Sequence, residues 1–257
     1  MVFSSVEEVL RCPETLQRLE RADTGWRRSS DGKYFPDRDG ITSLVYPYRL
    51  AGDDGKMNGL YEWIAPFYDA SERILGRMLT GVDIQQGRHK IVDLLPLKPG
   101  MRLLEVSPGP GVFQPMLRGK VGRNAEIVAA DLSINMLRQC RKRYAAEQVE
   151  LVHANALHLP FADSSFDALF HFGGVNLFND PDLALREFVR VVRKGGIISW
   201  GDEAMSESFT RQAGRRLLPL LNPGFKKTPP ALPAGITGAT KHIVYDGLGY
   251  LIQGTKA

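Results

Sequence analysis

Cysteine is nearly absent from this chain of 257 residues, which holds only Cys12 and Cys140. Two thiols are too few for a disulfide framework or a cysteine-rich zinc site. No apolar run is long enough to span a bilayer, and the N-terminus lacks the apolar segment of a secretory leader, so a cytoplasmic location is the expectation. Internal repeats and low-complexity stretches are missing as well. Neither sign of charge is in large excess, with 33 basic against 29 acidic residues and a net charge of +4. The densest basic cluster, Arg138, Arg141, Lys142 and Arg143, falls on or near one exposed side of a helix. No aromatic residues interleave with it in the manner of a base-stacking stripe, so a solvated helix face is the preferred reading. The length suits one large domain plus a small one.

What is present is a succession of strands that end in small or acidic residues. Leu103-Leu104-Glu105-Val106-Ser107-Pro108-Gly109-Pro110-Gly111 reads as a buried strand opening into a tight glycine loop. Glu105 sits at the strand end, and glycine at 109 and 111 lets the backbone come close to a ligand. In an open parallel sheet, ligands sit in the crevice at the carboxyl ends of the strands. Alone, such a loop leaves an ordinary strand-to-helix turn open as an alternative. A second strand, 125–130, ends at Asp131, an acidic residue placed to hold the hydroxyls of a ribose. Ser133 then caps a helix whose Ile134, Leu137 and Cys140 share one face. A third unit, Val149 to Ala156, runs into Leu159-Pro160-Phe161, and a fourth strand, Phe166 to Phe172, ends in Gly173-Gly174.

Next comes a well-marked helix with Asp180 as N-cap, Pro181 at its first position and Leu185, Phe188, Val189 and Val192 as the buried stripe; Lys194-Gly195-Gly196 stops it. A fifth strand, Ile197 to Trp200, leads to Gly201-Asp202-Glu203. Ser208 to Leu221 has helical spacing, whereas the proline-rich run 228–233 fits neither a regular helix nor a central strand. His242 to Tyr245 and Tyr250 to Gly254 read as two last strands joined in a hairpin-like pair.

Ahead of these units, residues 1–50 read as a small, mainly β module. Val6 to Leu10 forms a short helix, and Asp31-Gly32 and Asp39-Gly40 mark turns between short extended pieces. Residues 51–57 serve as a linker. Gly59 to Met78 then reads as one or two helices around Pro66, dense in aromatics that form either a packed cap or the wall of a pocket.

Glu105 to Gly111, Asp131, Asn155-Ala156 with Leu159-Pro160-Phe161, Phe166-Asp167 and Arg193-Lys194-Gly195-Gly196 occur in this order. With them, roughly residues 55–257 resemble a class I S-adenosylmethionine-dependent methyltransferase, in the ubiquinone/menaquinone C-methyltransferase-like branch. The resemblance implies an α/β, Rossmann-like, mostly parallel seven-stranded sheet with helices on both faces. It implies S-adenosyl-L-methionine as cofactor, held by Glu105, Ser107, Gly109, Gly111, Asp131, Leu132, Met136, Asn155, Ala156 and Phe172. Two positions depart from the family pattern: Ser107 stands where the first glycine is usual, and Asn155 where an aspartate often meets the adenine amino group. Serine is small and the asparagine oxygen still accepts a hydrogen bond, so binding remains the expectation. A dinucleotide site is disfavoured because Gln114 stands where that fingerprint needs its third glycine.

Cys12-Pro13, Tyr34-Phe35-Pro36 and Asp39-Gly40-Ile41 resemble a small zinc-ribbon-type domain. The metal does not follow, because a tetrahedral thiolate site needs partners that Cys12 lacks. The division expected is a degenerate, metal-free module over 1–50 and a methyltransferase domain over 51–257.

For the acceptor, Trp63, Phe67, Tyr68, Asn176 and Phe178 are the candidate binding residues, and His171, Asn176 and Asp202 the candidate catalytic ones. A core role for His171 and a capping role for Asp202 stand beside these. The expected partner is a small, partly apolar acceptor such as a quinone precursor, phenol or secondary metabolite, and a homodimer is compatible with the module. Two other readings stay open: an RNA methyltransferase docking through residues 11–38, and a cofactor-binding regulatory subunit without turnover.

Overall fold

Strands and amphipathic helices alternate through most of this chain, and that alternation dictates a parallel sheet covered on both faces. The computed structural model describes residues 6–47, 82–204 and 228–257. In chain order these form α1 (Val6–Val9), β1 (Leu19–Ala22), β2 (Gly25–Arg28), β3 (Tyr34–Pro36) and β4 (Thr42–Ser43). Then follow α2 (Ile84–Leu94), β5 (Leu103–Val106), α3 (Gln114–Val121), β6 (Ile127–Asp131), α4 (Ile134–Tyr144), β7 (Val149–His153), β8 (Phe166–Phe172) and α5 (Pro181–Val191). The chain closes with β9 (Val192–Glu203), β10 (Ile236–Val244) and β11 (Gly249–Lys256). The aromatic segment with Trp63, Phe67 and Tyr68, and the helical pattern of 208–221, lie outside the described residues.

The large sheet has eight strands in the order β10-β11-β9-β8-β5-β6-β7-β4. All neighbours from β9 to β4 run parallel, and β11 and β10 add an antiparallel hairpin at one edge. This is the expected Rossmann-like architecture with one strand more than the seven foreseen. The extra strand, β4, comes from the N-terminal stretch and pairs with Val152 and His153 at the end of β7. Two paired residues flanked by loops carry no periodicity that a sequence pattern could reveal.

All four residues of β5 are buried, as a central strand between two helical layers requires. Their side chains alternate. Leu104 and Val106 join a cluster with Phe166, Leu185 and Phe188, whereas Leu103 packs with Ile91, Leu117, Val121 and Ile127. The α5 stripe therefore covers one face, and α2 and α3 cover the other. N-terminal residues Leu10, Cys12, Trp26, Phe35 and Leu44 belong to the α5-side cluster, so that stretch shares its core with the large sheet. Its own sheet, β1-β2-β3, is antiparallel. Beside the Cys12 thiol stands a cation: Arg28 Nη1 lies 3.4 Å from the Sγ and 3.1 Å from Glu14, and the same guanidinium pairs with Asp31.

One helix boundary differs from the sequence reading. Val192, expected in the helical stripe, is the first residue of β9, and Arg193 to Gly196 lie inside that strand. The cause is capture of the last helical carbonyls, since Ser164 and Ser165 donate their N–H groups to Arg190 and Val191 at 3.0 and 2.7 Å. Gly196 is then needed opposite Asp167, because a Cβ there would stand 2.8 Å from the Asp167 carbonyl. No helix among the described residues is long and apolar enough to cross a membrane.

Arg118 locks α3 into this frame. Its guanidinium donates to the carbonyls of Gly122, Ala125, Glu147 and Gln148 at 2.6–3.1 Å, tying the helix end to the entries of β6 and β7. Burial pulls its pKa down, and these acceptors are all backbone oxygens. Arg118→Ala strands those buried carbonyls and should cost about 2–4 kcal/mol. Arg118→Lys cannot reproduce the fork and should lose much of the same. Thermal melts should show both variants falling several degrees, at roughly 2–4 °C per kcal/mol for a chain of this size.

Candidate functional site at the carboxyl ends of the parallel strands

Strand order reverses at β5, with β6 on one side and β8 on the other, and the loops leaving these parallel strands lie at one end of the sheet, where ligands sit in open α/β folds. Register brings the candidate residues side by side. Val106 pairs with Ala130 and with His171, Asp131 with His153, and Phe172 with Gly201.

The loop after β5 turns through three positive-φ positions, Ser107 (55°), Gly109 (56°) and Gly111 (83°). Ser107 donates its N–H to the Ala130 carbonyl at 2.8 Å, which fixes it in the left-handed region that glycine occupies without strain. That explains physically why glycine is the usual residue there. The two glycines, alike in local pattern, serve different purposes. A Cβ on Gly109 would meet nothing within 4 Å, leaving the backbone open to a ligand. A Cβ on Gly111 would stand 2.5 Å from Cys140 Sγ and 2.9 Å from Tyr144, so this glycine lets the loop close on α4.

Asp131 ties this loop to the next unit. One carboxylate oxygen accepts the Gly109 N–H at 2.9 Å and the other accepts the Ser133 N–H at 2.8 Å. Ser133 in turn caps α4 by accepting the Met136 N–H at 3.2 Å. Met136 is buried in that first turn and Leu132 is half-buried beside it.

Glu105 lies fully buried beneath the loop, and Gln114 Nε2 donates to its carboxylate. Burial, and secondarily the negative charge of Asp131, pushes the Glu105 carboxyl up to about 8. The other amide atom, Gln114 Oε1, is buried with no hydrogen-bond partner among the described residues. A carboxyl poised to ionise beside an acceptor lacking a donor fits a ligand that brings a cationic N–H group.

Beyond β7, Ala154 donates its N–H to the Asp131 carbonyl at 2.9 Å. Asn155 is buried, and its Oδ1 accepts the Leu157 N–H at 3.0 Å, so that oxygen keeps one lone pair for a ligand. Ala156 is buried next to it. Arg190 donates to the Leu159 and Phe161 carbonyls at 2.8 and 2.6 Å, and Glu187 accepts the Leu159 N–H at 2.8 Å, pinning the far end of this loop to α5.

Beyond β8, Gly173 and Gly174 (φ 90° and 96°) have open space where a Cβ would point. Asp202, at the end of β9, holds the following turn. Its carboxylate accepts the N–H groups of Gly174 at 2.9 Å, Asn176 at 2.7 Å and Glu203 at 2.8 Å. The Tyr250 hydroxyl lies 3.4 Å from Asn176 Oδ1, and burial raises its pKa. With three amide donors on its two oxygens, Asp202 acts on the loop, which is the capping alternative of the sequence reading. Phe172 packs between Phe113 and Tyr245, with ring centroids 6.0 and 5.5 Å away.

His171 is fully buried between the rings of Phe178 and Phe188, at 5.4 and 5.6 Å. Its Nδ1 faces the Val106 carbonyl at 2.9 Å and therefore carries the proton, while burial pushes the imidazole down to about 4. A neutral ring sealed in this way fits the core alternative. Gln114, Tyr250 and Cys140 take these positions through partners distant in sequence, which local pattern does not express.

Residues 104–200 match the family model described as a methyltransferase domain. Over 146 residues the chain is 32% identical to a demethylmenaquinone methyltransferase of Bacillus cereus, covering 55% of this chain and 59% of that protein. The chain thus spans about three fifths of the curated relatives it matches. Two solved structures share the fold. One is a SAM-dependent methyltransferase, possible histamine N-methyltransferase, of Thermotoga maritima, with TM-score 0.54, 21% identity and coverage of 78% of this chain and 100% of that one. The other is a phosphoethanolamine N-methyltransferase of Haemonchus contortus in complex with S-adenosylhomocysteine, with TM-score 0.53, 17% identity and coverage of 80% and 60%.

Thermal melts of single substitutions test the division of labour in the glycine loop. Gly111→Ala should be the most destabilising, combining an unfavourable φ with contacts to α4. Gly109→Ala should cost about 1–2 kcal/mol from backbone strain alone. Ser107→Gly should relieve strain and raise the melting temperature. Equal effects at 109 and 111 would contradict the assignment. Sequence match and fold agree on one stretch: residues 104–200, which match the methyltransferase-domain model, form the parallel part of a Rossmann-like sheet.

Proposed function

We propose that the protein is an S-adenosylmethionine-dependent methyltransferase acting on a small, partly apolar acceptor. The observation that carries this reading is the Asp131 carboxylate at the end of β6, held against the Gly109 amide of a loop open to ligand. When bound, S-adenosylmethionine supplies an electrophilic methyl group on a sulfonium sulfur. Around it, Asp131 accepts from the ribose hydroxyls, Asn155 reads the adenine edge, and Met136 packs on the ring. Glu105 and the Gln114 oxygen receive the ammonium of the amino-acid end.

Methyl transfer is an in-line displacement, so alignment is the main task, and orientation of this kind contributes roughly 7–11 kcal/mol. Asp202 contributes by fixing the turn of Gly174 to Asn176, which borders the place where the acceptor must lie. With His171 neutral and sealed, and Asp202 bonded to three amides, the reading favours an acceptor atom that is already nucleophilic.

A small acceptor is preferred to RNA because Arg21 and Arg28 of the N-terminal stretch are engaged by acidic partners. Arg21 pairs with Asp37 at 2.9 Å and lies over Trp26, and Arg28 is bound to Asp31 and Glu14. The relatives named for quinone methylation point the same way. The N-terminal stretch is read as a metal-free module, and turnover, rather than a purely regulatory role, is tested by an acceptor screen.

Calorimetric titration is the primary test. S-adenosylmethionine and S-adenosylhomocysteine should bind in the micromolar range, and Asp131→Ala should weaken both at least tenfold, since charge-assisted hydrogen bonds contribute about 1.5–3 kcal/mol each. Unchanged affinity would place the cofactor elsewhere. Asn176→Ala should lower turnover of a quinone-type or phenolic acceptor while leaving adenosylhomocysteine affinity within a few-fold.

The pH dependence of binding has a defined sign. Glu105 is mostly protonated at neutral pH, whereas a bound ammonium favours its ionised form. Affinity for adenosylhomocysteine should therefore rise with pH up to about 8, with proton release on binding at pH 7, and Glu105→Gln should flatten the profile.

A further inference from the structure

The N-terminal stretch reaches the proposed cofactor site from behind, through contacts the reading above does not use. Its strand β4 pairs with Val152 and His153, and Leu44 donates its N–H to the His153 carbonyl at 2.8 Å. The His153 imidazole then spans two elements, with Nδ1 2.9 Å from Ser43 Oγ and Nε2 3.0 Å from the Leu132 carbonyl. A carbonyl only accepts, so Nε2 carries the proton; Nδ1 is the acceptor and the Ser43 hydroxyl donates to it. The ring is buried, and burial pushes it down to about 4, which keeps this tautomer neutral.

Leu132 lies between Asp131 and Ser133, and His153 lies two residues before Asn155. The imidazole thus fixes the distance between the turn that presents the ribose-binding carboxylate and the loop that presents the adenine-reading amide. The same stretch grips both flanks. Asp39 accepts from Arg138 Nε at 2.8 Å, its carbonyl accepts from Arg141 at 2.6 Å, and Ile41 packs on Ile134 and Leu137, holding the helix that follows Leu132. At the other end of the loop, Arg11 donates its N–H to the Pro160 carbonyl and Ala162 donates to the Val9 carbonyl, each at 2.8 Å.

We infer that the N-terminal stretch is a buttress for the adenosine half of the cofactor site, and that His153 is its positioning residue, acting through Leu132 without touching the ligand. The inference rests on the methyltransferase reading above. It extends to this site the general rule that a histidine with both ring nitrogens bonded orients the groups around it.

The test is calorimetric titration of the full-length protein with S-adenosylhomocysteine, alongside thermal melts. His153→Phe keeps the bulk and removes both hydrogen bonds; it should weaken binding about tenfold. Ser43→Ala should weaken it about threefold. The double variant should be no weaker than His153→Phe, because the hydroxyl acts through the ring. His153→Gln, whose amide can still donate to the Leu132 carbonyl, should recover affinity to within about threefold of wild type.

Wild-type affinity in His153→Phe, with only the melting temperature lowered, would reduce His153 to packing and overturn the inference. A His153→Gln variant as weak as His153→Phe would do the same. If His153→Phe does not fold, Ser43→Ala decides, and unchanged affinity there overturns the inference. Failure of the wild type itself to bind adenosylhomocysteine would instead remove the methyltransferase reading, and the inference with it.

Discussion

The Asp131 carboxylate is the joint on which this site is built. It ends β6, and its two oxygens accept the amides of Gly109 and Ser133, one in the loop after β5 and one at the start of α4. A single buried anion thus fixes the glycine loop and the cap of the next helix against each other. Its charge also reaches Glu105 and helps hold that carboxyl protonated when no cation is near. The two carboxyl groups disfavour each other's ionisation.

Around this joint the chain uses polar side chains to hold loops and reserves the sheet for apolar packing. Asp202 holds three amides beyond β8 and β9, Arg190 holds the carbonyls of Leu159 and Phe161, and Arg118 holds the approaches to β6 and β7. Loops that leave a sheet expose backbone groups which the sheet cannot satisfy, and buried groups of that kind are costly without partners. These side chains supply the partners. The result is a rim whose backbone groups are held by side chains.

The N-terminal stretch belongs to the same economy of contacts. It shares the α5-side core, contributes an edge strand, and reaches α4 and the loop after β7. Arg28, the last residue of β2, brings a cation to Cys12, Glu14 and Asp31. A unit of this size gains stability by leaning on a larger one.

Much of this was legible in the sequence because it depends on local pattern. The buried run of β5, the caps Ser133 and Asp180, the strand Phe166–Phe172 and the closing hairpin follow from periodicity and capping chemistry. So did the grouping of Glu105, Asp131 and Asn155 at strand ends, since parallel strands must present their carboxyl ends together. What the sequence could not express were roles defined by a distant partner. Gly111 is set apart from Gly109 only by Cys140, which packs against it from another helix. Ser107 shows its left-handed backbone only once Ala130 accepts its amide. Asp202 stands at a strand end in the sequence, but the three amides it holds meet it only in the fold, and β4 has no signal until β7 offers an edge. Local pattern determines which elements form and which residues stand at their ends; tertiary structure decides what those residues do, because burial and hydrogen-bond partners exist only after distant segments meet.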